Sequence, residues 1–270
     1  EPIEGKNPLV EKIMFVHSFI ETLINRKISG RDGKCLLDSI EKTYLHFGIS
    51  RHTSSTDSLK MPILGDLEQT LRQSSEGIFL ADEIEPFVSG WMNIFNCYRN
   101  FHVEKAPLYL FDIKDTDREL STSTLFAVLE FIQHMTEKRL FPNALLVVDE
   151  AWKIAMSQQL TDFFTRFLSR MNQYGMQCLC ATQQVRDVWE SAENMCRQFE
   201  TLIIFRQSPN DVGFAKEKFD FSTEQSHHLK HLKLGEAFVY IPKHNHRFMM
   251  SYDERIEPVV DEYIPSTFLY

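Results

Sequence analysis

The stretch NALLVVDEAWKI, Asn143 to Ile154, runs four apolar residues, Leu145 to Val148, straight into Asp149 and Glu150. A short continuous apolar run bounded by polar residues reads as a strand buried inside a sheet. The flanking chain keeps a matching rhythm. LYLFDI (108–113) reads as a strand and TSTLFAVLEFIQHMTEKRL (122–140) as an amphipathic helix. After the acidic pair, QQLTDFFTRFLSRMNQYG (158–175) reads as a helix closed by Gly175, and MQCLCAT (176–182) as a strand. VRDVWESAENMCRQF (185–199) is a further helix and TLIIF (201–205) a further strand. Apolar strands alternating with helices define an α/β fold with a mostly parallel sheet covered by helices on both faces.

The remaining segments surround that core. PLVEKIMFVHSFIETLINRK (8–27) and GKCLLDSIEKTYLHFG (33–48) carry apolar residues at helical spacing, the second ending at Gly48 as a C-cap. ISRHTSSTDSLKMP (49–62) reads as a loop and ILGDLEQTLRQ (63–73) as a short helix, followed by irregular chain to Pro107. SPNDVGFAKEKF (208–219) and STEQSHHLKHLK (222–233) read as helices. EAFVYIP (236–242) and HRFMMSYD (246–253) alternate as a closing antiparallel pair. The expected division is a helical insertion with connecting segments over 1–106 and the α/β core over 107–270.

Bulk properties exclude several classes. A chain of 270 residues that is 43% hydrophobic can bury a sizeable core. With 25% charged residues and apolar runs no longer than ALLVV, it offers no spanning helix. The start, EPIEGKNPLVEK, is not a secretory signal, and five cysteines without a CxxC pair suit reduced thiols in a cytoplasmic protein. A net charge of −9 argues against a generally basic nucleic-acid surface, although RNFHVEK (99–105) and HHLKHLK (227–233) are local basic patches. His227, His228 and His231 read as a polar helix face rather than a metal site.

Ligands of parallel α/β sheets bind where the carboxyl ends of the strands emerge, and Asp149 and Glu150 close their strand there. The pair suits nucleotide hydrolysis: one carboxylate stays ionised beside Mg²⁺, often through water, while the other accepts the attacking water's proton. Two acids after a buried strand also serve as a helix cap or a turn, so the pair alone leaves both readings open. The next strand narrows the choice. CLCATQQ (178–184) ends in Thr182-Gln183, one helix and one strand after Glu150. A glutamine at that edge can hydrogen-bond a terminal phosphate or the water; a polar helix start is the alternative.

In order, LYLFDI, LLVVDEAWKI, FLSRMNQYG, CLCATQQ and LIIFRQSPND resemble the C-terminal motor domain of the conjugative type IV secretion ATPases, the TraC family. The related HerA and FtsK motors share that core. The likeness runs from about Asn7 to Tyr252 and includes NPLVEK near the start. It implies a RecA-like core with Asp149 and Glu150 as the Walker B pair, Asp149 holding Mg²⁺ through water and Glu150 acting in catalysis. It further implies Gln183 as phosphate sensor, Thr182 beside it at the nucleotide, and Trp152 as a packing aromatic. A homo-oligomer, a hexamer that borrows an arginine from its neighbour, is also implied. Arg170 is the candidate finger; Arg166 and Arg206 remain alternatives, as does a plain solvated charge at Arg170.

One part of that pattern is absent from the 270 residues. A phosphate cradle reads G-x-x-x-x-G-K-[ST] between a strand and a helix. Gly33-Lys34 is followed by Cys35 and preceded by Ile28 at the first glycine position, so GRDGK (30–34) reads as a helix–helix turn. In the resembled family the cradle lies upstream of the NPL segment. The expectation is therefore a fragment lacking the P-loop, with a natural variant that lost it as the alternative. Either way, these residues alone are expected to hold MgATP weakly.

The resemblance implies an ATPase using ATP and Mg²⁺ to drive pilus assembly or substrate translocation. Its implied place is cytoplasmic, peripheral at the inner face of the inner membrane, with inner-membrane components of a secretion machine as partners and pilin or another protein as cargo. A DNA-translocating motor is the second reading, and it predicts basic pore residues; Arg118, Lys138 and Lys153 are not distinctive. A degenerate ATPase fold acting as a scaffold is the third. Trp91, Phe95, Tyr98 and Phe101 read as a satellite core or a subunit contact, and the closing IPSTFLY (264–270) as a docking tail.

Overall fold

A computed structural model describes residues 8–53, 59–98, 106–113, 116, 120–141, 143–183 and 185–251. Asn7, the basic patch over 99–105 with Phe101, Arg118 and the IPSTFLY segment lie outside the described residues. The chain separates into two units, residues 1–146 with 153–178, and residues 147–152 with 179–270.

The first unit is built from amphipathic helices. They are α1 (Pro8–Leu23), α2 (Gly30–His46), α3 (Leu64–Arg72), α4 (Ile78–Val88) and α5 (Ser121–Glu137), followed after one strand by α6 (Trp152–Ala155), whose first residue belongs to the second unit, and α7 (Gln158–Met171). Ile20, Leu36, Ile40, Leu71, Leu80 and Ile84 supply the fully buried centre of the first four. A second layer is aromatic: Phe126 of α5 meets Phe15 of α1 edge-on at 5.2 Å and Phe163 of α7 at 4.9 Å. Lys12 Nζ to Glu130 at 2.6 Å and Thr43 Oγ1 to Thr70 Oγ1 at 3.0 Å add polar ties between helices. The buried Glu21 carboxylate accepts the Ile28 N–H at 2.7 Å and so fixes the connection from α1 to α2.

Three local readings change. GRDGK is the first turn of α2 itself, with Gly30 at φ +63. A β-carbon on Gly33 would stand 3.2 Å from the Ile28 carbonyl oxygen, so close backbone approach explains that glycine without a phosphate. Next, the stretch after residue 73 contains the helix α4, whose Leu80, Ala81, Ile84, Phe87 and Val88 are buried at helical spacing, with Pro86 tolerated in its last turn. Finally, LYLFDI forms no strand. Leu108 and Leu110 are 73% and 75% exposed, while Tyr109 and Phe111 rest on Phe141 and Phe131 at 5.1 and 6.1 Å. An apolar run becomes a strand only where neighbours take its N–H and C=O groups. Among the described residues no ladder reaches it.

The acidic stretch behaves as its pattern implies. β1 (Leu145–Val148) pairs with β2 (Gln177–Cys180). Gln177 N–H donates to Ala144 O and Ala181 N–H to Val148 O, each at 2.9 Å. Both strands advance four residues between those bonds, so the pair is parallel. The crossover is α7, opened by Ser157 Oγ accepting the Leu160 N–H and closed through a 3-10 turn at Gly175, φ +71. Leu145 and Val147 are each 57% exposed and Val148 is buried, so among the described residues one face of this strand is uncovered.

In the second unit α8 (Val185–Cys196), broken at Ala192, leads into β3 (Leu202–Ile204). α9 (Pro209–Lys218) and α10 (Thr223–His231) start at the serine caps Ser208 and Ser222. β4 (Glu236–Ile241) and β5 (His246–Ser251) form the expected antiparallel hairpin, with Phe238 opposite Met249 and Ile241 opposite His246. β3 joins that hairpin, Ile204 opposite Phe238, rather than a parallel neighbour. An aromatic core of Trp189, Phe219, Phe221 and Phe238 fills the unit. Arg247 lies over Tyr240 at 4.7 Å and donates to Phe219 O at 2.8 Å.

Candidate active site

Because β1 and β2 run the same way, they deliver Asp149-Glu150 and Thr182-Gln183 to one end of the pair. Two backbone bonds lock that end: Ala181 N–H to Val148 O, and Ala151 N–H to Ala181 O, each at 2.9 Å. The chain must leave β1 abruptly to make the second bond. Glu150 does this at φ +52, a left-handed conformation that costs a residue with a β-carbon about 1 kcal/mol. Its N–H turns back onto Asp149 Oδ1 at 2.8 Å.

The Glu150 carboxylate is held from two sides. Gln183 Nε2 donates to Oε1 at 2.6 Å, and Trp152 Nε1 donates to Oε2. A carboxylate offers roughly four lone-pair sites, so each oxygen can still accept from a water. Glu150 is half-buried, and Asp149 and Gln183 are exposed. Asp149 Oδ2 accepts no bond among the described residues. The arrangement therefore presents one oriented carboxylate able to take a proton and one open carboxylate beside it.

Among the described residues no three His, Cys, Asp or Glu side chains gather as a metal cluster. His227 and His231 lie ring to ring at 4.5 Å on α10, tilted by 42°, and join no such cluster. Mg²⁺ does not need such a cluster, since it keeps several waters and takes one or two carboxylates plus substrate phosphates. Asp149, exposed and using one oxygen, has the chemistry for that mode.

Thr182 is half-buried at the end of β2. Arg170 belongs to the other unit, on α7, where Nη1 lies 3.7 Å from Glu11 of α1. Arg166 and Arg206 are exposed and make no ion pair among the described residues. Lys34, beside the rejected glycine, is an exposed residue of α2. The sequence reading missed the donor role of Trp152. It assigned the ring to packing, yet the residue is 39% exposed and its N–H points at Glu150. The only available signal was the donor-only indole two residues from an acceptor-only carboxylate.

The aromatic stretch before residue 99 divides. Phe95 packs edge-on against Phe19 at 5.1 Å, Tyr98 lies under Lys60 Nζ at 4.0 Å, and Trp91 stays 72% exposed.

No family model matches the chain, and no curated protein matches it in sequence. Solved structures do. VirB4 of Thermoanaerobacter pseudethanolicus matches with a TM-score of 0.81 and 18% identity, over 95% of this chain and 71% of that one. The plasmid coupling protein TrwB, in complex with the non-hydrolysable GTP analogue GDPNP, matches with a TM-score of 0.51 and 11% identity, over 89% and 68%. An unbound form of this bacterial conjugative coupling protein gives 0.50 and 11% over the same shares. At these identities the likeness is one of fold. The chain has the RecA-like α/β fold of VirB4 and TrwB.

Proposed function

We propose that this chain is the motor domain of an ATPase in a type IV secretion or conjugation machine, hydrolysing ATP to drive pilus assembly or substrate translocation. The observation that carries the reading is the hydrogen bond from Gln183 to Glu150, which joins the ends of two parallel strands. A helix cap or a turn has no need of it. Glu150 would accept the proton of the attacking water, with Gln183 as the group that senses the terminal phosphate. Asp149 would hold Mg²⁺ through water, and the ion would neutralise phosphate charge. Thr182 would stand beside the nucleotide. Arg170 would act across a subunit boundary in a homo-oligomer, a hexamer in this reading.

The fold shared with VirB4 supports this reading. The proposed place is cytoplasmic, peripheral at the inner face of the inner membrane beside the machine's membrane components, with pilin or another protein as cargo. The net charge of −9 favours protein over DNA. A DNA-moving role is the second reading, supported by the fold shared with the coupling protein TrwB.

The test is ATP turnover by the 270 residues and by the full product of the gene, each with Glu150→Gln. Turnover in the full product, abolished by Glu150→Gln and absent from the 270 residues, is the expected result. A full product without Mg²⁺-dependent turnover ends the motor reading and leaves a scaffold.

A further inference from the structure

Glu150 is held by two donors of different kinds. Gln183 is an amide that, in the function proposed above, is also wanted by a phosphate. Trp152 is a donor-only indole with no second task, and the residue is 39% exposed rather than packed away. The left-handed turn at Glu150, φ +52, folds the chain back between β1 and α6. That turn is what lets a side chain two positions on face the carboxylate.

We propose that Trp152 is a positioning residue, whose indole N–H keeps hold of Glu150 Oε2 when Gln183 leaves Oε1 for the nucleotide's terminal phosphate. The inference rests on the hydrolase reading of the site and adds a division of labour within it. With both donors in place the carboxylate is fixed and Oε1 is engaged by the amide at 2.6 Å. Loss of the amide leaves both lone-pair sites of Oε1 to the water and makes it the better proton acceptor. Without Trp152 the carboxylate would then rotate freely about its last torsion, which is broad for Glu. With Trp152, Oε2 stays anchored and Oε1 stays aimed. The covalent balance is that of ordinary hydrolysis: water oxygen bonds to phosphorus, the bond to the leaving phosphate breaks, and the water proton passes to Oε1.

The experiment uses Trp152→Phe, which keeps a ring and deletes the donor. In protein labelled with ¹⁵N at indole nitrogens, the Trp152 resonance is assigned by its loss in Trp152→Phe. It is then followed in Glu150→Gln and Gln183→Ala. The expected result is a displaced Trp152 signal in Glu150→Gln and a retained one in Gln183→Ala, with Trp91 and Trp189 unmoved. In the full gene product, Trp152→Phe is expected to lower kcat by about tenfold to a hundredfold with KM for ATP unchanged, as loss of orientation without loss of binding does. Trp152→His, which restores a ring N–H, should recover part of that loss. A Trp152 signal indifferent to Glu150→Gln overturns the proposal. So does a full kcat in Trp152→Phe when Glu150→Gln is dead, and this leaves the motor reading intact. A wild-type product without turnover overturns both, and is told apart by its wild-type baseline.

Discussion

Gln183 and Glu150 stand 33 residues apart in sequence and 2.6 Å apart in space, amide nitrogen to carboxylate oxygen. Two helices, a 3-10 turn and a strand separate them only to return the chain, in parallel, to the place it left. Replacing Gln183 with Ala removes one neutral donor from a polar site, and kcat of the full product should fall about a hundredfold. Gln183→Glu should do at least as much damage, because it sets a second carboxylate against the first. Since Gln183 is exposed and Glu150 only half-buried, neither change should cost more than about 1 kcal/mol of stability. Steady-state kinetics beside urea unfolding separates the two effects.

Glu150 should invert the usual ranking of Gly and Ala. In ordinary backbone Gly is less stable than Ala, but at φ +52 the β-carbon of Ala carries the left-handed penalty and Gly does not. Glu150→Gly is therefore expected to unfold later in urea than Glu150→Ala, by about 1 kcal/mol. The reverse order would mean that the turn is not left-handed in solution.

Acid should weaken the helical unit before carboxylates begin to titrate. Burial pushes His17 below its ordinary pKa of 6.5, partly offset by Glu21 at 3.9 Å. His134 is lowered too, first by burial and then by Lys138 and Lys12, against Glu130 and Glu137. Well above pH 6.5 both rings are neutral whether folded or unfolded and add no slope. As pH falls through 6.5 the unfolded chain takes up protons that the folded chain refuses, so stability declines. Urea midpoints between pH 7.5 and pH 5.5 should fall, and His17→Gln should flatten part of the decline. An unchanged slope in that variant would show that His17 protonates as readily in the fold as outside it.

How far sequence reading reached depended on whether a feature is local. The run Leu145–Val148, the helix of Leu160, Phe163, Phe164 and Phe167, and the glycine stop at Gly175 are encoded by periodicity and turn chemistry, and all three stand in the structure. So do Asp149, Glu150 and Gln183 at one strand end. Partner choice is not local. LYLFDI has the composition of a strand but no ladder among the described residues, and β3 has the composition of a parallel strand yet pairs antiparallel with β4. α4 was hidden by Pro86, which reads as a breaker although its last-turn place spares most of the helix. The contact of Trp152 with Glu150 depends on one left-handed residue, and a glutamate gives no warning of that conformation.

Phe126 should be the costliest single truncation in the helical unit. It is fully buried and meets rings on two other helices, Phe15 at 5.2 Å and Phe163 at 4.9 Å. Phe126→Ala is expected to cost about 3–5 kcal/mol, measured by urea unfolding, because three elements share the cavity and none can close it alone. Trp91→Ala, at a residue 72% exposed, should stay within about 0.5 kcal/mol.

Arg170 is engaged by Glu11, but weakly. The pair is 3.7 Å apart with the side chains 34% and 43% exposed, so water and salt screen it. An arginine held this loosely can exchange one carboxylate for a neighbouring subunit's phosphate at little cost. Arg170→Ala should leave stability within about 1 kcal/mol of wild type, while turnover of the full product falls about a thousandfold. Glu11→Gln should spare turnover. If the arginine acts across a subunit boundary, mixing Arg170→Ala with Glu150→Gln should restore part of the activity. Each inactive chain then supplies what the other lacks: an intact Glu150 from one, an intact Arg170 from the other. No recovery on mixing would place Arg170 in its own subunit's site or outside the chemistry altogether. Arg206→Ala and Arg166→Ala, tested in the same mixture, would then show which exposed arginine takes its place.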